Sequence, residues 1–390
     1  MIVLSLPISY WLILAIASSR SMPQVPLRPN PTTRFIIAIA AHNEASVIRA
    51  TVSHLLGLNY PSPLFQIHIV ADHCTDSTAQ IASQTGAIVY ERNEGPRSGK
   101  GIALSWLFQQ IFANNNSCDA LVIFDADTIV DPNFLRKMDA RLAQGDKVIQ
   151  GQHVISNPED GWFPSLTWAM FLVDNRFQNL GRANLSWSAK NMGDSICFRA
   201  DILQKMGWGE GLTEDYQLRQ RLLLGGIKIT YEPAAIGYGE AALTWSQAKA
   251  QRARWLRGAY DASQQFARQL LKESLKHRDG ALLDGTLQAY LPSYSTLTII
   301  TTFIFLLQLL LNWTLPGSIL FINLMMWLSI WVILFVYPLI GLALEKAPLK
   351  AYLVIVSGPF FILWRTWLAF SVRLRNRSVV WVRTTHGGKL

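Results

Sequence analysis

The sequence predicts an α/β domain with a mostly parallel sheet, joined to α-helical membrane segments. Short β-rich runs alternate with helix-patterned stretches between residues 33 and 238, an order that gives parallel strands with a ligand at their carboxyl ends. Further on lie two long, almost uncharged runs, each able to cross a bilayer. Composition agrees, because the 390 residues are 50% hydrophobic and only 16% charged, more apolar than a wholly soluble chain.

The elements follow in order. Ile2–Ala17 is apolar, with no basic residue before it and Arg20, Arg28 and Arg34 after it, the reverse of a secretory signal. It reads as a retained anchor with the following domain in the cytosol; a cleaved signal peptide is the alternative for so short a run. Pro23, Pro26, Pro29 and Pro31 make a stiff linker. Strands are expected at 35–40, 67–71, 87–90, 120–124 and 147–150, and helices at 45–56, 100–112, 133–143 and 215–224. Residues 291–311 and 319–344 are expected to span. The apolar run 352–370 contains Arg365 and Gly358-Pro359, and is flanked by Lys346 and Lys350 and by Arg373, Arg375, Arg377 and Arg383. That pattern suits a re-entrant or interfacial segment, a plain fourth span being the alternative. The expected division is an anchor over 1–20, the α/β domain over 33–240, interfacial helices over 241–285, two transmembrane helices over 286–345, and a third apolar segment with a basic cytosolic tail over 346–390. The expectation is a multi-pass protein of the cell (inner or plasma) membrane with its α/β domain in the cytosol.

The net charge of +9 gathers beside apolar segments instead of forming an aromatic-interleaved stripe, which argues for membrane flanks and against nucleic acid. Cys74, Cys118 and Cys197 are too few and too scattered for a disulfide framework or zinc knuckle, and suit a reducing compartment.

Polar residues cluster where strands end. Ala41-His42-Asn43-Glu44 follows the first strand, either facing a ligand or forming a solvated turn. At the end of the second, Asp72 can accept a hydrogen bond from a nucleobase edge or ribose, while Asp76 or Ser77 caps the next helix. His73 has no second histidine at ligand spacing, which argues against a metal there. The segment 95–101 approximates a phosphate loop, but Glu94 stands where its first glycine belongs and Gly101 replaces the hydroxyl residue, so an NTPase is not indicated. Lys100, at a helix start behind glycines, still suits an anionic ligand.

The strongest local signal is Phe124-Asp125-Ala126-Asp127-Thr128, closing an apolar strand. Two carboxylates one residue apart can share a phosphate-bound Mg²⁺ or Mn²⁺. In Thr213-Glu214-Asp215, Thr213 is placed to cap a helix, and Asp215 is a candidate base for deprotonating an acceptor hydroxyl. Gln251-Arg252-Ala253-Arg254-Trp255 puts Gln251, Arg254 and Trp255 on one helix face: a hydrogen-bonding group, a guanidinium for phosphate and an indole to stack on sugar or line a channel. Tryptophan and arginine on an interfacial helix are equally ordinary membrane anchors.

In this order the motifs resemble the family 2 glycosyltransferases, in the membrane-embedded branch with cellulose, hyaluronan, chitin and poly-N-acetylglucosamine synthases. The resemblance covers about 33–258 and reaches weakly to Trp381-Val382-Arg383-Thr384. It implies a GT-A catalytic domain, inverting transfer and a nucleotide-sugar donor, usually a UDP-sugar. It also implies base contact by Asp72, metal binding by Asp127 with Asp125 near the donor, Asp215 as catalytic base and diphosphate contact by Arg254. Asn43, Glu44 and Lys100 would line the donor pocket, and Gly193-Asp194-Ser195 falls at an acceptor-side loop. The sequence departs from the pattern at Glu240-Ala241-Ala242-Leu243-Thr244, where the family often has proline, and its membrane portion is small.

The expected activity is Mg²⁺- or Mn²⁺-dependent transfer of a hexose or N-acetylhexosamine to a growing polysaccharide at the membrane, which the resemblance ties to Thr213-Glu214-Asp215 with Gln251 to Trp255. Transfer to a membrane lipid is the alternative, favoured by the compact membrane region. A non-enzymatic scaffold is disfavoured because every expected acidic position is filled. A dehydrogenase is disfavoured because no strand precedes a G-x-G-x-x-G turn.

Overall fold

A computed structural model describes residues 2–97, 99–114, 117–209, 211–315 and 317–374. Helix α1 (Ile2–Ala17) precedes β1 (Phe35–Ala41), α2 (Ile48–Leu56), β2 (Phe65–Asp72), α3 (Thr78–Gln84), β3 (Ile88–Arg92), α4 (Lys100–Ala113), β4 (Ala120–Phe124), β5 (Ile129–Val130), α5 (Phe134–Ala143) and β6 (Val148–Ile155). The domain continues with α6 (Trp162–Asp174), α7 (Gly181–Asn184), β7 (Ile196–Arg199), α8 (Ala200–Met206), α9 (Glu214–Leu224) and β8 (Thr230–Gly239). Helices α10 (Trp245–His277), α11 (Gly280–Tyr290), α12 (Tyr294–Thr314), α13 (Ser318–Leu344), α14 (Leu349–Ile355) and α15 (Gly358–Leu374) complete the described chain.

The strands form one sheet in the order β3-β2-β1-β4-β7-β6-β8-β5. Strands β1 to β4 pair parallel and β6 pairs parallel with β8, whereas β7 runs antiparallel to both its neighbours. Side chains alternate between two cores. Ile37, Ile39, Val122 and Phe124 pack with α2, α3 and α5, while Ile36, Ala38, Leu121 and Ile123 pack with α4, α8 and α9. Covering both faces is what near-continuous apolar strands demand. It leaves the polar carboxyl ends of β1, β2 and β4 as the place for chemistry.

The expected α/β sheet is present, with three strands the sequence pattern did not reveal. Strand β5 has two residues and β7 four, too short for periodicity to register. Strand β8 carries Pro233, and its register against β6 jumps at Gly151/Gln152 as residues 233–235 bypass the ladder. The strand expected at 147–150 runs on to Ile155, and the helix expected from 45 starts at Ile48.

Two helices, Tyr294–Thr314 and Ile319–Leu344, are long and apolar enough to cross a membrane, as expected. The run 352–370 is a broken pair, α14 and α15, bent by 52°, which would make a third crossing if counted as one span. Helix α1 has 16 residues, so at ~1.5 Å per residue it is shorter than a ~30 Å hydrocarbon core. It packs against neighbours: the Trp11 ring meets Tyr294 of α12 at 6.0 Å and Tyr337 of α13 at 5.7 Å. Arg375, Arg377, Arg383 and the stretch 381–384 lie outside the described residues.

Candidate active site

The loops after β1 and β2 are tied to each other. Asn43, held at φ 57°, accepts a hydrogen bond from the Thr75 amide at 2.7 Å and donates to Thr75 Oγ1 at 3.1 Å. Glu44, largely buried, donates its backbone amide to Thr78 Oγ1 at 2.7 Å. Asp76 takes the capping role at the start of α3, accepting from the Thr78 amide at 3.0 Å. Asp72 is buried at the end of β2 and ion-paired with Arg92 and His73, both on Oδ1. Its Oδ2 receives no hydrogen bond from the described residues and keeps acceptor capacity for a base or ribose.

The loop after β4 is anchored from beneath. Lys100, at the first turn of α4, donates to Asp125 and to the Gly193 carbonyl at 2.6 Å. Burial works against its charge, but Asp125 and Asp194 outweigh burial and hold the ammonium above its ordinary range. Asp194 organises this region: Oδ1 accepts from the Asp125 amide at 3.0 Å and Thr128 Oγ1 at 3.1 Å, while Oδ2 bonds His153 Nδ1 at 2.7 Å and Ser195 Oγ at 2.9 Å. Burial would raise the Asp194 carboxyl, yet the bond from His153 and its charge bring it down to about 2, and His153 is held above its usual range in return. Thus Asp194, assigned by resemblance to an acceptor-side loop, bonds directly to the backbone of the Asp125–Asp127 turn.

Asp127 Oδ2 accepts from the Glu240 amide at 3.4 Å, so the loop that lacks proline meets the acidic turn. Asp125 and Asp127 are hard oxygen donors of the kind Mg²⁺ or Mn²⁺ takes. Among the described residues no His, Cys, Asp or Glu group of three forms a complete protein cage. That fits a cation held by one or two carboxylates together with substrate phosphates and water.

The third wall comes from α9 and α10. Asp215, in the first turn of α9, lies against Gly193: a Cβ there, at φ +76°, would sit 3.2 Å from Asp215 Oδ2. Burial raises the Asp215 carboxyl, while Arg254 and Lys100 act on it in the opposite sense. Burial, and after it the charge of Asp215, lifts Glu214 to about 7. Arg254 Nη1 donates to the Leu212 carbonyl at 3.0 Å, tying α10 to the turn before Asp215. Thr213 stands at the N-cap position of α9, but its side chain makes no capping bond. Its hydroxyl is buried without a hydrogen bond and packs on Gly258, where a Cβ would come within 2.4 Å of it. Gln251 and Trp255 are half-buried on α10, and the Arg252 guanidinium lies 4.7 Å from the Trp255 ring.

The described contacts link Lys100, Asp125, Asp194, Glu214, Asp215 and Arg254 into one charged cluster at the strand ends; Asp72, Asn43 and Glu44 lie on the neighbouring β1 and β2 loops. Sequence reasoning missed His153, which sits mid-strand with no motif around it, and the supporting roles of Asp194 and Glu214. Only their positions beside recognised motifs could have pointed to the latter two.

A charged cluster at the carboxyl edge of a sheet with this strand order is the arrangement of a GT-A-like glycosyltransferase domain. The chain belongs to the glycosyltransferase-like family 2, whose sequence model matches residues 31–258. It is 26% identical over 375 residues to Probable glycosyltransferase YdaM of Bacillus subtilis (strain 168), covering 89% of this chain and 86% of that one. It is 28% identical over 255 residues to beta-monoglucosyldiacylglycerol synthase of Nostoc sp., covering 62% of this chain and 52% of that one. Against poly-beta-1,6-N-acetyl-D-glucosamine synthase of Staphylococcus aureus it is 27% identical over 234 residues, 57% of this chain and 54% of that one. The match thus spans about half the length of the last two. The fold is that of the mannosyltransferase PcManGT from Pyrobaculum calidifontis, solved with GDP-Man and Mn²⁺, at a TM-score of 0.55 and 15% identity over 96% of this chain and 97% of that one.

Proposed function

We propose that this glycosyltransferase moves a hexosyl or N-acetylhexosaminyl group, with inversion, from a UDP-sugar or similar nucleotide-sugar to a growing polysaccharide at the cytosolic face of a membrane. The observation that carries the reading is the meeting of Lys100, Asp125, Asp215 and Arg254 around the turn after β4. Asp127, with Asp125 beside it, would hold Mg²⁺ or Mn²⁺, which neutralises the diphosphate as it departs. Asp72 receives the base or ribose, and Asn43, Glu44, Lys100, Gln251 and Trp255 border the donor. Asp215 takes the proton of the acceptor hydroxyl as that oxygen bonds the anomeric carbon and the carbon–phosphate-oxygen bond breaks. The raised Asp215 carboxyl makes it a better base than an exposed aspartate. Arg254 reaches both the Asp215 turn and the departing phosphate.

The acceptor has a second reading. The two spanning helices are few for a polymer channel, and the Nostoc relative is named for a glucolipid product, both of which favour a membrane lipid. The test is incubation of the full chain in lipid with radiolabelled nucleotide-sugars, followed by product sizing. A ladder supports the polymer and one discrete lipid product the alternative. Asp215→Asn should lower turnover by roughly 10²- to 10⁴-fold. Unchanged nucleotide release in that variant would refute the assignment of the base.

A further inference from the structure

Helices α10 and α15 meet along a seam that carries Lys249, Arg252 and Arg365. Arg252 is 7% exposed, its Nε has no hydrogen-bond partner, and Nη2 reaches only Thr167 Oγ1 on α6 at 3.5 Å. Its guanidinium is surrounded by the rings of Trp255 at 4.7 Å, Phe361 at 5.8 Å and Phe163 at 5.9 Å. Arg365 sits in the apolar middle of α15 and donates to a neutral group, Ser295 Oγ, at 2.8 Å. Lys249, one turn before Arg252 and exposed, lies over the Trp367 ring at 5.9 Å. None of the three is ion-paired among the described residues. Asp174, a carboxylate that acts on Arg252 from a distance, is bonded through both oxygens to Lys190 at 2.7 Å.

A guanidinium taken out of water without an anion is strongly disfavoured, and proteins ordinarily pair such a group. Cation–π contact recovers only part of that cost. The missing partner is therefore an anion. The outer face of α15 says what kind, because Phe360, Leu363 and Trp367 are each about three-fifths exposed and present an apolar surface beside Lys249, whose ammonium lies over Trp367. We propose that Lys249, Arg252 and Arg365 hold the phosphate of an anionic membrane lipid at the α10–α15 seam, with its acyl chains along α15. The proposal is independent of which acceptor the enzyme uses. Burial, and after it the like charge of Arg365, brings the Arg252 guanidinium down to about 9, still cationic at neutral pH, and a phosphate between the two would relieve both.

The test uses the full chain, purified in detergent and delipidated, and follows thermal unfolding and native mass spectra during titration with phosphatidylglycerol, diacylglycerol or inorganic phosphate. Phosphatidylglycerol should bind saturably and raise the melting temperature, and the other two should not. Arg365→Gln should weaken the lipid roughly tenfold, the equivalent of one charge-assisted hydrogen bond, while Arg365→Lys retains most of the binding. Lys249→Gln, at an exposed site, gives a smaller loss in a variant whose folding is not at issue. Equal stabilisation by diacylglycerol would reduce the seam to an apolar contact, and equal stabilisation by inorganic phosphate would make it a free-anion site. Either result, or undiminished binding by Arg365→Gln and Lys249→Gln, overturns the proposal. Because binding is read without turnover, failure here leaves the transferase reading standing, and an inactive enzyme that still binds the lipid leaves this one standing.

Discussion

Glu214 and Asp215 are adjacent carboxylates in a buried turn, and their environments separate their roles. Burial raises both and Lys100 and Arg254 act on both in the opposite sense, but at Glu214 the charge of Asp215 adds to burial and lifts the carboxyl to about 7. In the unfolded chain Glu214 ionises near its ordinary 4.5, so the folded state holds an extra proton between pH 4.5 and about 7. Its contribution to stability is complete below that window and is lost as pH rises through it. Melting temperatures of wild type and Glu214→Gln should diverge across the window, the wild type losing more as pH rises; parallel curves would contradict the assignment. Asp127→Ala should raise the Mg²⁺ or Mn²⁺ concentration for half-maximal turnover by roughly 10- to 100-fold or more, read by metal titration of nucleotide release. Much at this scale was legible, because Asp72, Asp125, Asp127 and Asp215 stand at strand or helix termini that patterning locates. The bond from His153 to Asp194 was not, since it joins residues 41 positions apart with no shared motif.

Helix α10 acts as a strap over the loop that carries Asp215. Two contacts fix it: Arg254 on the Leu212 carbonyl and Gly258 on Thr213. Gly258→Val would force a branched side chain against the buried Thr213 hydroxyl, costing ~1–3 kcal/mol of stability by overpacking. It should cut turnover far more than that loss explains, by displacing the Asp215 turn; wild-type turnover in a folded variant would show that the strap does not set the turn. The motif from Gln251 to Trp255 reads in the sequence as part of a long helix, and α10 runs for 33 residues around it. Long apolar or strictly periodic elements were readable: β1, β2, β4, α4, α12 and α13. Strands β5, β7 and β8 form only because partners are already present, and such tertiary support leaves little trace in local pattern.

Across the whole molecule, a buried ionic network fastens the terminal helices to the catalytic domain. Asp284 of α11 takes Arg182 Nε of α7 at 2.9 Å on both oxygens, Arg219 of α9 at 2.8 Å and the Tyr10 hydroxyl of α1 at 2.8 Å. All three charged side chains are essentially inaccessible. Asp284→Asn leaves two guanidiniums without their counter-charge and should destabilise the fold by about 3–5 kcal/mol, seen as a lowered denaturation midpoint. Truncation before Leu291 keeps the network but uncovers apolar surface on α6 and α10, and should give an aggregating domain by light scattering; a monodisperse, active fragment would show the later helices to be dispensable.

The Tyr10–Asp284 bond also sets an order on biogenesis. Its two ends are 274 residues apart, so at ~5–20 residues per second translation needs tens of seconds to deliver the second after the first. Throughout that interval α1 has left the ribosome with its tyrosine lacking its native acceptor. The docking of α1 through this bond therefore waits until Asp284 has been made, well after α1 itself.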